Sequence, residues 1–279
     1  MNNGMYAIED FGCEIDYSEI PEGGVAKVVK TPVCRPEDWL RLEPCSVKEG
    51  GLARELRGLK LLLDRVKGEA VPVIFTIFSP LTTANKLSNN RLRQHLADGH
   101  REEVHYALKV IAQTTCDLVR AVMELEADGI FFAAQSGTYD YMTAEEYQEF
   151  GVPYDLEVFQ AAEKGWMNTV HVHGSNIMFE LLKDYPAQAF NWHAWETLPT
   201  VDEAAVMTGK CLMGGLNRTD ITRKDRNAIQ HQIYECYRML GGRNQILTPG
   251  CVIRYPLDDA MLSYVKQAKD MVESKMRRS

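Results

Sequence analysis

The chain is 279 residues long, 45% hydrophobic and 25% charged, with a formal net charge of -8. That is enough apolar material for a large core, and one α/β barrel of about 250 residues accounts for the length without a second domain. The negative charge argues against nucleic acid or an anionic membrane surface as the main partner. The longest uncharged apolar run, Val71 to Leu81, contains Pro72 and Pro80 and is too short to cross a bilayer.

The seven cysteines are Cys13, Cys34, Cys45, Cys116, Cys211, Cys236 and Cys251. Their number is odd, no two form a Cys-x-x-Cys pair, and the start carries no secretory signal pattern. These features point to reduced thiols and a cytoplasmic protein.

Residues 1–50 read as irregular. Gly23-Gly24 followed by Val25 to Val29 is a turn and a short strand, and Pro36-Glu37-Asp38-Trp39 resembles a helix start. From Leu52, Leu56, Leu59 and Leu63, at helical spacing, the pattern becomes regular. Val73 to Phe78 is a near-continuous apolar strand ending at Ser79-Pro80. A long helix follows, its buried face marked by Val104, Leu108, Ile111, Leu118, Val122 and Leu125, and it stops at Ala127-Asp128-Gly129. Ile130 to Ala133 is the next strand, followed by the polar, aromatic loop Gln135 to Tyr141. Helices fill roughly 144–164. A strand holding His171 leads to a helix from Asn176 to Leu182, then to the strand Ala189 to Trp192 and a helix from Val201 to Thr208. The strand Cys211 to Gly214 precedes a helix from Thr222 to Leu240 that Gly241-Gly242 ends. Gln245 to Leu247 is the last strand, and Leu257 to Met276 the last helix.

Apolar strands alternating with amphipathic helices predict a parallel sheet covered by helices. A doubly wound sheet and a (β/α)8 barrel both fit. No Gly-x-Gly-x-x-Gly follows any strand and no P-loop motif occurs, so a nucleotide-binding version has no support. The strands begin near residues 73, 130, 169, 189, 211 and 245, so in an eight-stranded barrel the first fifty residues have to supply the rest.

Polar residues crowd the C-terminal ends of these strands: Ser79, Gln135, His171, His173, His193, Asn217 and Cys251. In a barrel those ends form the active face. In Thr169-Val170-His171-Val172-His173 the alternation of a strand points both imidazoles the same way, a metal-ligand arrangement. Asn191-Trp192-His193 and Pro249-Gly250-Cys251 sit at two further strand ends. A lone His there is more often a hydrogen-bonded residue, and a lone buried Cys an inert small hydrophobe. The conjunction favours a metal site made of His171, His173, His193 and Cys251.

The order of motifs is familiar: Pro72-Val73-Ile74-Phe75 with Ser79-Pro80-Leu81-Thr82, then Ala127-Asp128-Gly129-Ile130, Phe150-Gly151-Val152-Pro153-Tyr154, Met213-Gly214-Gly215-Leu216-Asn217 and Gly250-Cys251-Val252-Ile253. Over roughly residues 50–275 the chain resembles the uroporphyrinogen decarboxylase superfamily. That superfamily holds the heme-pathway decarboxylase and the zinc methyltransferases that move methyl groups from corrinoid proteins to thiols, with cobalamin-independent methionine synthase as a more distant relative. The resemblance implies a (β/α)8 (TIM) barrel spanning 1–279 as a single domain, with a shortened or irregular N-terminal part over 1–50.

The decarboxylase branch implies an Arg-rich N-terminal segment and a His in the last strand motif. Here the first Arg is Arg35, and Cys251 stands in that last motif. A substrate with many carboxylates needs clustered Arg or Lys donors, and the predicted mouth offers Lys86, Arg218 and Arg254. The methyltransferase branch implies a His-x-Cys zinc motif and a distant Cys. His171 and Cys251 match it, His173 stands where that branch has Cys, and His193 falls near a Glu ligand of the methionine synthase relatives. Two thiolates neutralise Zn²⁺, whereas one Cys with neutral His leaves the site net positive, and imidazole-rich sites also admit iron, nickel or copper.

The leading expectation is a zinc-dependent methyltransferase that activates a thiol for methyl transfer from a separate corrinoid protein, since the chain has no Asp-x-His-x-x-Gly cobalamin motif of its own. A decarboxylase of a tetrapyrrole or smaller acid is the second reading, with Asp140 or Tyr139 as its catalytic residue and no metal. A non-enzymatic barrel subunit is the third. The expected partners are a small-molecule thiol or acid, a corrinoid protein and a second copy in a homodimer, with no nucleic acid and no membrane.

Overall fold

The structure is a computed structural model that describes residues 4–22, 24–253 and 258–277. It opens with the short helix α1 (Tyr6–Glu9), followed by the strands β1 (Glu14–Asp16) and β2 (Lys27–Lys30) and the helix α2 (Gly50–Arg65). Next come β3 (Ile74–Phe78), α3 (Pro80–Leu87), α4 (Leu92–Ala97), α5 (Arg101–Glu124), β4 (Gly129–Ala134), α6 (Ala144–Phe150) and α7 (Val152–Ala161). The remainder is β5 (Thr169–Val172), α8 (Phe179–Leu182), β6 (Ala189–Asn191), α9 (Val201–Thr208), β7 (Cys211–Leu216), α10 (Arg218–Arg223), α11 (Arg226–Leu240), β8 (Gln245–Pro249) and α12 (Asp259–Met276).

β3 to β8 form one parallel sheet of six strands in chain order, with helices in every connection. Sequential order without a reversal is the winding of a barrel rather than of a doubly wound sheet, whose order turns back at a switch point. The first fifty residues do contain two strands, but β1 and β2 pair antiparallel with each other in a separate sheet. The parallel arc is therefore not extended by them among the described residues. Instead α1 lies against the arc's first strand. The Tyr6 hydroxyl donates to the Thr76 carbonyl of β3 at 2.7 Å, and its ring packs on Phe75 and Phe78.

The core forms where the strands meet the covering helices. In α5 the buried positions Val104, Leu108, Ile111, Leu118 and Val122 repeat at helical spacing, and β4 is buried along nearly its whole length. Asp128 and Asn168 tie the N-terminal ends of the strands together. Asp128 accepts from the Val73 N–H at 2.6 Å and the Trp166 indole at 2.7 Å, while Asn168 accepts from the Ile130 N–H at 3.0 Å and donates to the Ala162 carbonyl at 2.8 Å.

Three helix readings change. The helix expected from Asn176 begins only at Phe179, because Ile177 pairs across to Thr138. The helix expected from Thr222 is two helices. Lys224 takes a left-handed φ of 60, which ends α10, and Asp225 then caps α11 by accepting from the Ala228 N–H at 3.0 Å. The last helix starts at Asp259. The strand predicted over Val25 to Val29 runs over Lys27–Lys30. Gly23 of the expected turn, Arg254 and Leu257 lie outside the described residues.

Candidate metal centre

Each ligand candidate stands just at or past the C-terminal end of a parallel strand. His171 lies within β5, level with Ala133 of β4 and Asn191 of β6. His173 follows β5, His193 follows β6 and Cys251 follows β8. Parallel strands bring those ends to one side, and the four side chains meet there. One ligand atom from each of His171, His173, His193 and Cys251 lies within 4.8 Å of every other. His173 Nδ1 is 3.6 Å from Cys251 Sγ. His171 and His193 are 4% and 5% exposed, whereas His173 and Cys251 are partly open to solvent.

Gly250 makes the Cys251 approach feasible. A Cβ at Gly250 would lie 2.6 Å from the Trp192 carbonyl and 2.7 Å from the His193 Cα. Only a residue without a side chain lets the backbone after β8 come this close to the backbone after β6. On the other side of the cluster the Phe131 ring stacks on His171 at 5.1 Å.

The two buried imidazoles have their tautomers set by their neighbours. His171 Nδ1 donates to Asn191 Oδ1 at 2.5 Å, and the Asn191 amide nitrogen in turn donates to the Met213 carbonyl. That fixes which end of Asn191 faces His171 and leaves His171 Nε2 as a bare lone pair. His193 Nδ1 lies 3.2 Å from Glu196 Oε2, and a carboxylate only accepts, so Nδ1 carries the proton. His193 Nε2 is buried and has no hydrogen-bond partner. Buried polar atoms are nearly always paired, so this lone pair is free to meet a metal ion.

The charge states agree. Burial lowers the His171 imidazole to about 3, helped by the charges of His173, His193 and Arg218 and opposed by the Asn191 bond. Burial, then His193 and Arg218, lowers His173 to about 4. Burial also lowers His193, against the pull of Glu196. Three imidazoles neutral at pH 7 and one thiol form a donor set suited to zinc or another transition metal. All seven cysteines are free, so Cys251 is not committed to a disulfide.

Two further polar residues at the strand ends, Ser79 and Asn217, do other work. The Ser79 hydroxyl caps α3, accepting from the Thr82 N–H at 3.1 Å, and the Asn217 side chain caps α10, accepting from the Thr219 N–H at 2.8 Å. Tyr139 and Asp140 sit on the loop after β4, outside the four-residue cluster. That loop is held to the loop after β5: the Tyr139 N–H donates to the Asn176 carbonyl at 2.8 Å, and Asp140 Oδ1 accepts from the Asn176 amide at 3.2 Å. Tyr139 is 49% exposed, and Asp140 is also exposed. Lys86, on α3, donates to the Gly4 carbonyl at 2.9 Å and lies 3.7 Å over the Phe78 ring. Among the described residues it has no carboxylate partner. Sequence reasoning did not single out Asn191 or Glu196 as supports of the histidines. Glu196 was signalled only by its place three residues after His193, a spacing that a single turn brings together.

The solved structures that match share this architecture. A methyltransferase from Methanosarcina mazei superposes with a TM-score of 0.79 at 17% identity, over 96% of this chain and 77% of its own. A B12-independent methionine synthase from Shewanella sp. in complex with selenomethionine gives a TM-score of 0.66 at 13% identity, over 97% of this chain and 77% of its own. Both place the chain among α/β barrels. In sequence it is 25% identical, over 168 residues, to a methylcobamide:CoM methyltransferase (MtbA) of Methanosarcina acetivorans and 24% identical to that of Methanosarcina mazei. The match takes in 60% of this chain and 48% of each relative, so it spans about half the length of those proteins. The profile described as uroporphyrinogen decarboxylase (URO-D) matches residues 5–268, nearly the whole chain, and the protein belongs to the uroporphyrinogen decarboxylase family.

Proposed function

We propose that the protein is a metal-dependent methyltransferase that activates a thiol to receive a methyl group from a corrinoid protein, with His171, His173, His193 and Cys251 as the metal ligands. The observation that carries this reading is the cluster itself, three neutral imidazoles and a thiol within 4.8 Å with a buried, unpartnered nitrogen among them. The methylcobamide:CoM methyltransferase similarity supports a corrinoid donor and a thiol acceptor such as CoM. Zinc is the metal proposed; bound here, it supplies Lewis acidity that lowers the pKa of a substrate thiol.

The chain's own residues do the rest. Asn191 and Glu196 hold two imidazoles with their ring lone pairs toward the cluster. The charges of Lys86 and Arg218 reach the histidines, so the mouth is cationic even without metal. A thiol that also bears an acidic group suits that field. Tyr139 and Asp140, the catalytic candidates of the decarboxylase reading, are exposed on the loop after β4, outside the four-residue cluster. The decarboxylase alternative has less support, because Asp140 is exposed and already holds Asn176.

The test combines purified protein, zinc, methylcobalamin and a panel of small thiols, following loss of the methyl–cobalt absorbance. Thiol-dependent demethylation is expected, abolished in His171→Ala and raised in His173→Cys, where a second thiolate makes the site less positive and the bound sulfur a better nucleophile. A fall in His173→Cys would point to water activation instead. Absence of thiol-dependent demethylation together with decarboxylation of an acid would contradict the proposal.

A further inference from the structure

A metal ion on His171, His173, His193 and Cys251 would meet one thiolate and three neutral rings, so the first set of ligands leaves a net positive charge. An anion stands directly behind that set without belonging to it. Glu196 sits behind His193, 3.2 Å from Nδ1, on the far side of the ring from the buried, unpartnered Nε2. We propose that Glu196 is a positioning residue that supplies, through the His193 imidazole, the negative charge that a second thiolate would otherwise provide. This rests on the metal-centre reading and adds to it a specific division of labour.

The local chain is built for the contact. After β6 the backbone makes one helical turn, with the Glu196 N–H donating to the His193 carbonyl at 2.7 Å and the Thr197 N–H to the same carbonyl at 3.0 Å. That turn brings residue i+3 back over residue i. Two indoles pin it from either side: Trp192 donates to the Pro199 carbonyl at 3.0 Å and Trp195 to the Gly215 carbonyl at 2.7 Å. Glu196 is therefore held by a rigid turn and not by its own side-chain packing, for it remains a third exposed. Arg218, the first residue of α10, places its Nε 3.8 Å from the other Glu196 oxygen.

A carboxylate accepting the outer N–H of a ligating imidazole raises the basicity of the inner nitrogen and fixes the ring. The arrangement also accounts for His193 being tolerated in a buried position, where an unsupported imidazole with one orphaned nitrogen would be costly. A merely structural salt bridge between His193 and Glu196 would leave Nε2 without a purpose.

The test measures Co²⁺ and Zn²⁺ affinity by chelator competition for wild type, Glu196→Gln, His193→Ala and the double variant, with thermal melts as the folding check. Loss of an outer partner of this kind costs about 10–100-fold in metal affinity, and that loss is expected for Glu196→Gln. Glu196→Gln is expected to add nothing in the His193→Ala background, because its effect passes through the ring. A nitrogen-15 NMR spectrum of the metal-free protein supplies a readout independent of metal: the Nδ1–H tautomer of His193 should dominate in wild type and lose its preference in Glu196→Gln. If wild type binds metal tightly and Glu196→Gln binds within twofold of it, or if the two substitutions are additive, the role of Glu196 is overturned while the metal centre stands. If wild type binds no metal, the metal-centre reading falls and this inference with it.

Discussion

His171 Nδ1 donates to Asn191 Oδ1 across the β5–β6 boundary at 2.5 Å, and this one bond leaves Nε2 as the ring nitrogen with a free lone pair. The two residues are register partners in the sheet, so the bond is set by strand pairing itself. Asn191→Ala removes the partner without touching a proposed ligand. The expected result is a loss of about 10–100-fold in metal affinity, read by chelator competition. Affinity equal to wild type would show that His171 needs no outer partner.

Gly250 is the second lever. The Trp192 carbonyl and the His193 Cα leave no room for a Cβ at that position. Gly250→Ala is expected to push the segment after β8 outward and carry Cys251 away from His173. Overpacking of this kind costs about 1–3 kcal/mol of stability. Metal affinity should fall together with a modest drop in the melting midpoint. A variant that retains both would mean that the backbone can shift without moving Cys251.

Lys86 tests the nature of the substrate. Burial lowers its amine to about 8, so it is still largely charged at neutral pH. Among the described residues its partners are the Gly4 carbonyl and the Phe78 ring. Hydrogen bonds to charged groups contribute about 1.5–3 kcal/mol, so Lys86→Met is expected to weaken binding of mercaptopropionate and mercaptopropanesulfonate at least tenfold. Mercaptopropanol should bind as before. Equal losses for the acidic and the neutral thiols would remove Lys86 from substrate recognition.

Asp155 bears on stability rather than on chemistry. It is fully buried and accepts hydrogen bonds from the Tyr147 hydroxyl at 2.8 Å and the Tyr185 hydroxyl at 2.9 Å, while its other oxygen has no partner. Burial raises its carboxyl from 3.8 to about 7, the two hydroxyls pulling the other way. The folded state holds the proton more tightly than the unfolded chain. Its contribution is thus fully present below about pH 4 and is lost as the pH rises through about 7, with a slope of at most about 1.4 kcal/mol per pH unit. The difference in urea midpoint between wild type and Asp155→Asn should therefore change steadily across that window, with wild type the relative loser at higher pH. Parallel midpoints at all pH values would contradict the raised carboxyl.

The strands and most helices were legible because apolar runs bounded by Gly, Pro and Asp are local features. β3, β4 and β7 begin within a residue of where those runs begin. The alternation of His171 and His173 was equally local. The extra break at Lys224 was missed because Arg223-Lys224-Asp225-Arg226 contains no Gly or Pro to mark it, and only the backbone φ reveals the stop. The start of α8 moved because Ile177 pairs with Thr138, a contact 39 residues away along the chain. Residues 1–50 were opaque for the same reason: α1 is placed by Tyr6 reaching Thr76, and no local pattern encodes that. Asn191 and Glu196 were overlooked as supports because their roles need a neighbouring strand or a folded turn to bring the partner ring beside them.

The central claim is a metal held by three histidines and one cysteine. X-ray absorption at the metal edge of the purified, zinc-loaded protein tests it most directly. The expected spectrum has one metal per chain with nitrogen scatterers at about 2.0–2.1 Å and a single sulfur at about 2.3 Å, the sulfur vanishing in Cys251→Ser. A shell of oxygen scatterers alone, or a sulfur signal that survives Cys251→Ser, would contradict it.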